Sequence, residues 1–159
     1  MNNLPLPVKI LIVVVICLSI GGTSGIVTSS AINDWYVTLN KPSFNPPNWI
    51  FAPVWTLLYI MMGLAAALIW QEGWEKKIVK MALLFFSIQL VLNALWSIVF
   101  FGWKQPAFAL IEIFILWSML LVCIIKFKAI KPLAAYLLIP YFLWVTFASI
   151  LNGAIWWLN

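Results

Sequence analysis

The stretch KPSFNPPNWIFAPVWTLLY, Lys41 to Tyr59, sets three prolines ahead of an apolar run and a fourth, Pro53, inside it. Pro46 and Pro47 suit the first turn of a helix, where a missing N–H is not needed. Pro53 frees the carbonyl of Trp49 and predicts a kink that re-aims the next turns of the helix; the alternative is a proline simply tolerated in a membrane helix. Phe51, Trp55 and Tyr59 then come at spacing four, on one helix face. The stretch reads as the boundary between a loop and a helix that gathers aromatic side chains.

Around it the chain is 159 residues long, 65% hydrophobic and 8% charged, with a mean hydropathy of +1.08. Soluble globular domains do not have that composition. Runs of about 20 apolar residues cross a bilayer, and five are present, at roughly 8–28, 46–70, 78–101, 105–126 and 133–157. The expected fold is all-α: one domain over 1–159, an integral membrane bundle of five transmembrane helices. Three of the four connections are short. The segment 29–45 is expected to be a long loop, and loops of that length are often functional. A secretory signal peptide is the competing reading of the first span. The span is longer than a signal core, and Cys17, Gly21, Gly25 and Ser29 recur at spacing four as a packing face.

All nine basic residues are lysines, and there is no histidine. The usual haem axial ligand and zinc ligand are therefore missing, so no metal site and no cofactor is expected. Lys9, Lys76, Lys77, Lys80, Lys126, Lys128 and Lys131 fall on the side of the N-terminus, Lys41 and Lys104 on the other. The positive-inside rule then predicts a cytoplasmic N-terminus, with the C-terminus and the 29–45 loop outside a bacterial plasma membrane. The net charge of +5 is a topology signal spread over loops, not a nucleic-acid patch. Cys17 and Cys123 sit in separate apolar runs and read as packing residues.

Trp35, Trp70, Trp74, Trp103, Trp156 and Trp157 lie at span ends, where an interfacial aromatic belt accounts for them. Trp55, Trp96, Trp117 and Trp144 lie deeper. Polar groups inside spans are costly and mark interior cavities. The third span carries Gln89, Asn93, Trp96 and Phe100 as one stripe, the fifth Trp144, Ala148 and Asn152, and the fourth the single carboxyl of Glu112. Counted from the outer ends at about 1.5 Å per residue, Trp55, Asn93, Trp96, Glu112, Ala148 and Asn152 all fall about 8–14 Å down. One polar-aromatic pocket in the outer half, lidded by the long loop, is expected. Plain helix–helix hydrogen bonds remain the alternative for Gln89 and Asn93, and for Glu112 a neutral carboxyl bonded to a backbone carbonyl or to Asn93. Such a pocket suits a flat, mostly apolar ligand, with Lys41 and Lys104 placed to meet carboxylates at its rim. Hydrolytic, metal and nucleotide chemistry are disfavoured by the missing residue types.

The opening stretch, with QLVLNALWSIVFF at 89–101 and PYFLWVTFASILN at 140–152, resembles the translocator protein family, also called the tryptophan-rich sensory protein (TspO/MBR) or peripheral benzodiazepine receptor family. The likeness spans essentially the whole chain. It implies a usually dimeric five-helix bundle in the lipid bilayer that binds protoporphyrin IX and related tetrapyrroles, sterols, and isoquinoline carboxamide or benzodiazepine-type ligands. Carried over motif by motif, the ligand-binding residues would be Tyr36, Trp49, Trp55, Tyr59, Asn93, Trp96, Trp144, Ala148 and Leu151; the stripes add Phe51, Gln89, Glu112 and Asn152. The tail LNGAIWWLN lacks the tyrosine and basic residue of the animal members' sterol pattern, which leaves sterol binding in doubt. The resemblance implies three possible roles: porphyrin binding and sensing, light-dependent degradation of protoporphyrin with Trp55 and Trp144 as the reactive indoles, and transport.

Overall fold

The computed structural model describes residues 4–159. Five helices succeed one another: α1 (Leu6–Asp34), α2 (Phe51–Gln71), α3 (Lys77–Ser97), α4 (Pro106–Ile130) and α5 (Pro132–Leu158). A 3-10 turn at Asn48–Ile50 leads into α2, and a π turn at Ile98–Gly102 extends α3. With these extensions all five are long and apolar enough to cross a membrane. In hydrocarbon a helix satisfies its own backbone groups, so apolar runs of this length fold as spans. Among the described residues there is no strand.

The first connection is shorter than 29–45. Helix α1 continues to Asp34, so Ser29 and the residues after it belong to the helix. The hydroxyls of Ser29 and Ser30 donate back to the carbonyls of Ile26 and Val27, at 3.0 Å each. Bonded in this way, serine sits in a helix without seeking a turn. Residues 35–47 then hold only the short turn Tyr36–Thr38. Pro46 and Pro47 precede helical structure, Pro47 being extended (φ −56°, ψ 140°) ahead of the Asn48 turn. Pro53 is the third residue of α2, inside the first turn, where no intrahelical N–H bond is lost. The proline inside a helix is Pro140, in α5.

Helices α2, α3, α4 and α5 enclose the core, which includes Met62, Ile69, Leu120, Phe127, Leu138 and Tyr141, all fully buried. Helix α1 lies against this group by one stripe, its buried residues being Lys9, Cys17, Ser24 and Ala31. It packs on α2 at two close approaches: Gly21 against the ring of Tyr59, and Gly63 against the backbone of Val14. A Cβ at Gly63 would stand 2.7 Å from the Val14 Cα. At the end that carries the N-terminus Lys9 is buried and donates to the Gln71 Oε1 at 2.8 Å, with its ammonium 5.5 Å from the centre of the Trp70 ring. Lys131 and Glu72 form a half-exposed ion pair there at 2.7 Å.

Candidate functional site

A cavity of about 370 Å³ opens between the helices at the end that carries residues 35–47. Its walls are aromatic. Trp55 packs on Tyr59 with ring centres 5.6 Å apart, and edge-on against Tyr141 at 6.1 Å. Phe51, Trp144 and Phe147 form a second run, at 6.2 Å and 5.6 Å. Trp96 stacks on Phe100 at 5.1 Å, and Phe101 closes edge-on to both. The π turn places Phe100 and Phe101, neighbours in sequence, on the same cavity wall; such wide turns inside helices recur at functional positions.

Polar groups are few and mostly engaged. Trp96 donates its indole N–H to the Asn152 Oδ1 at 3.1 Å, and the Asn152 Nδ2 donates to the Pro106 carbonyl at 2.8 Å. The indole N–H groups of Trp55 and Trp144 make no hydrogen bond among the described residues. Above the cavity, Tyr36 donates its hydroxyl to the Asn45 Oδ1 at 2.6 Å and packs on Phe101 at 5.7 Å. Burial pushes its phenol pKa up to about 12. Asn40 and Asn159 clasp each other: the Asn40 backbone N–H donates to the Asn159 Oδ1 at 2.9 Å, and the Asn159 Nδ2 donates to the Asn40 carbonyl at 3.0 Å.

Of the residues expected from sequence, the structure gathers Tyr36, Phe51, Trp55, Tyr59, Trp96, Trp144, Ala148, Leu151 and Asn152 around this cavity. Trp49, Gln89, Asn93 and Glu112 do not border it. Trp49 is 73% exposed, on the outside of the turn that starts α2. Asn93 lies behind the wall, accepting from the Tyr59 hydroxyl at Oδ1 and donating from Nδ2 to Tyr141 at 3.0 Å. It is therefore a helix-to-helix tie, and it is not the partner of Glu112. The side chains of Glu112 and Gln89 are buried without a hydrogen-bond partner among the described residues.

The rim lysines differ from expectation too. Lys41 donates to the carbonyls of Leu39 and Val37, at 3.2 and 3.4 Å, and lies 5.0 Å from the Tyr36 ring centre. Lys104 is exposed, in a left-handed backbone conformation (φ 57°), and does not line the cavity. Sequence reasoning passed over Phe101 and Phe147. It also assigned Gly25 and Ser29 to packing alone, whereas both line the cavity; small residues at spacing four were the available signal.

The sequence profile of the TspO/MBR family matches residues 13–158. The chain is 43% identical over 144 residues to the tryptophan-rich protein TspO of Chlorobaculum tepidum, covering 91% of each chain. It is 41% identical over 160 residues to the protein of the same name in Archaeoglobus fulgidus, covering 100% of this chain and 99% of the relative. To the human translocator protein it is 38% identical over 125 residues, covering 77% of this chain and 73% of the relative. Five apolar spans and these relatives make it an integral membrane protein. The chain belongs to the TspO/MBR family.

Proposed function

We propose that this protein binds porphyrins, protoporphyrin IX first among them, in the aromatic cavity, and so limits or reports free tetrapyrrole. Family membership supports a membrane binding or sensing role for tetrapyrrole- or sterol-like ligands in general. The observation that carries the finer reading is the pairing of flat walls with unused donors. Trp55 and Trp144 face one cavity with free indole N–H groups, and indole faces stack on a macrocycle while the N–H reaches an edge acceptor. Isoquinoline carboxamide and benzodiazepine-type ligands have the same flat, weakly polar character. The ligand-binding set is Tyr36, Phe51, Trp55, Tyr59, Trp96, Trp144, Ala148, Leu151 and Asn152, with Asn93 tied behind the wall to Tyr59 and to the buried Tyr141. The protein works in a bacterial plasma membrane as a homodimer, with residues 35–47 outside.

The test is quenching of tryptophan fluorescence by protoporphyrin IX in lipid nanodiscs. Saturable quenching that weakens about tenfold in Trp144→Phe combined with Trp55→Phe is expected; unchanged affinity in the double variant would place the ligand elsewhere. A second reading, light-dependent degradation, is favoured by the same two indoles, which stand where an excited macrocycle would lie. Under light it requires one discrete product, lost in the double variant; undirected bleaching that matches in both rejects it. Movement of porphyrin across sealed liposomes above the protein-free rate would instead identify a transporter.

A further inference from the structure

The cavity is exposed along the outward faces of two membrane-spanning helices. Its exposed lining residues are Gly22, Gly25 and Ser29 on α1 and Asn48, Ala52 and Thr56 at the head of α2. Those lining it from α3, its π turn and α5 are buried or half-buried. The close approaches of α1 to α2, at Gly63 and Gly21, lie farther in, whereas a Cβ built at Gly22 or Gly25 meets nothing within 4 Å. Past the Gly21–Tyr59 contact, which itself borders the cavity, exposed residues of both helices flank the opening. The gap is rimmed by small side chains.

The lining also contains no charged residue. Three hydroxyls along the gap are spent on backbone: Ser29 on the Ile26 carbonyl, Thr28 on that of Ser24 and Thr56 on that of Ala52, at 2.8–3.0 Å. Each of these three has given away its one hydrogen and keeps only acceptor capacity, while Ser24 and Ser97, which also line the cavity, keep neutral hydroxyl donors. Lys41 is held by two carbonyls and a ring. A carboxylate drawn into this cavity would lose its water and gain only neutral donors and no cation, which is unfavourable. At the outer end of the gap Asn48 is exposed, and its carboxamide makes no hydrogen bond among the described residues.

We propose that the outer gap between α1 and α2 is a lipid-facing mouth that admits a flat ligand by its uncharged body, leaving any acidic edge outside at headgroup level beside Asn48. This rests on the porphyrin reading above and adds to it a route of entry and a charge selection. The acidic edge of protoporphyrin IX then contributes little to affinity, and the segment 35–47 is not the door.

Two comparisons in nanodiscs test this. On the wild-type protein, the dimethyl ester of protoporphyrin IX, referred to its concentration in the membrane, should bind within about threefold of the free acid. A loss of about tenfold or more for the ester would show a buried partner for the carboxylates and overturn the proposal. For entry, Gly25→Phe and, separately, Thr56→Trp should slow association about tenfold. Joining Asn40→Cys to Asn159→Cys with a short thiol cross-linker, the native thiols being buried, should leave the rate within about twofold. Uptake stopped by the cross-link, or unchanged in both bulky variants, would overturn the mouth. Absence of saturable quenching by either compound in the wild type is a separate result, and it sinks the porphyrin reading itself.

Discussion

Tyr59 donates its hydroxyl hydrogen to the Oδ1 of Asn93, across the 34 residues that separate them in α2 and α3. The same carboxamide donates to Tyr141 of α5, so one side chain ties three helices behind the cavity wall. Asn93→Leu leaves two buried hydroxyls without a partner and should cost about 1–3 kcal/mol. Adding Tyr59→Phe and Tyr141→Phe removes the orphaned groups and should recover most of that loss. Thermal unfolding in detergent, followed by tryptophan fluorescence, checks both; a triple variant weaker than Asn93→Leu alone would show that the tie is not what the leucine disrupts.

Two glycines should respond with opposite sign. Alanine at Gly63 sets a methyl 2.7 Å from the Val14 Cα and 2.9 Å from its backbone nitrogen, so α1 must move away, at about 1–3 kcal/mol. Alanine at Gly22 meets nothing within 4 Å and gains helix propensity of about 0.8–1 kcal/mol. The melting temperature should fall for Gly63→Ala and hold or rise for Gly22→Ala.

Tyr36 gives the 35–47 connection an alkaline limit. Its phenol, normally near 10, is raised to about 12 by burial. The folded chain holds this proton more tightly than the unfolded chain. The stabilisation is therefore complete below the unfolded value and is lost as pH rises through about 12. Tyrosinate absorbance should show a late-ionising component that is missing in Tyr36→Phe. An unchanged titration would mean that Tyr36 ionises like an exposed phenol.

The clasp between Asn40 and Asn159 is exposed, so it should hold the connection locally without deciding global stability. Asn159→Ala should speed hydrogen exchange at residues 39–41 while moving unfolding by no more than about 1 kcal/mol. Exchange that stays slow would show that Tyr36 and Asn45 secure the segment alone.

The five spans were legible because apolar length is a one-dimensional signal that nothing here overrides. The aromatic stripes were legible for a similar reason: Trp55 with Tyr59, and Trp144 with Ala148, come at helical spacing and meet around one cavity. Asn93, Gln89 and Glu112 show where that reasoning stops. Counting from a helix end gives depth along the axis but not direction around it, and these three have the expected depth on faces turned from the cavity. The end of α1 is not legible because Ser29 and Ser30 suit a turn and a back-bonded helix equally. The π turn that presents both Phe100 and Phe101 left no mark in the residue pattern.

Helix α1 couples two packing sites along its length. Its first half is fixed at Lys9, through Gln71, and at Val14, beneath Gly63; its second half is held by Gly21 against Tyr59 and by Ala31 and Val27 against the π turn and its phenylalanines. From Val14 to Ser29 the helix runs about 22 Å at about 1.5 Å per residue, so a tilt of about 5° about Val14 moves Ser29 by about 2 Å. A substitution at Gly63 that displaces Val14 therefore strains the second set of contacts as well as the first.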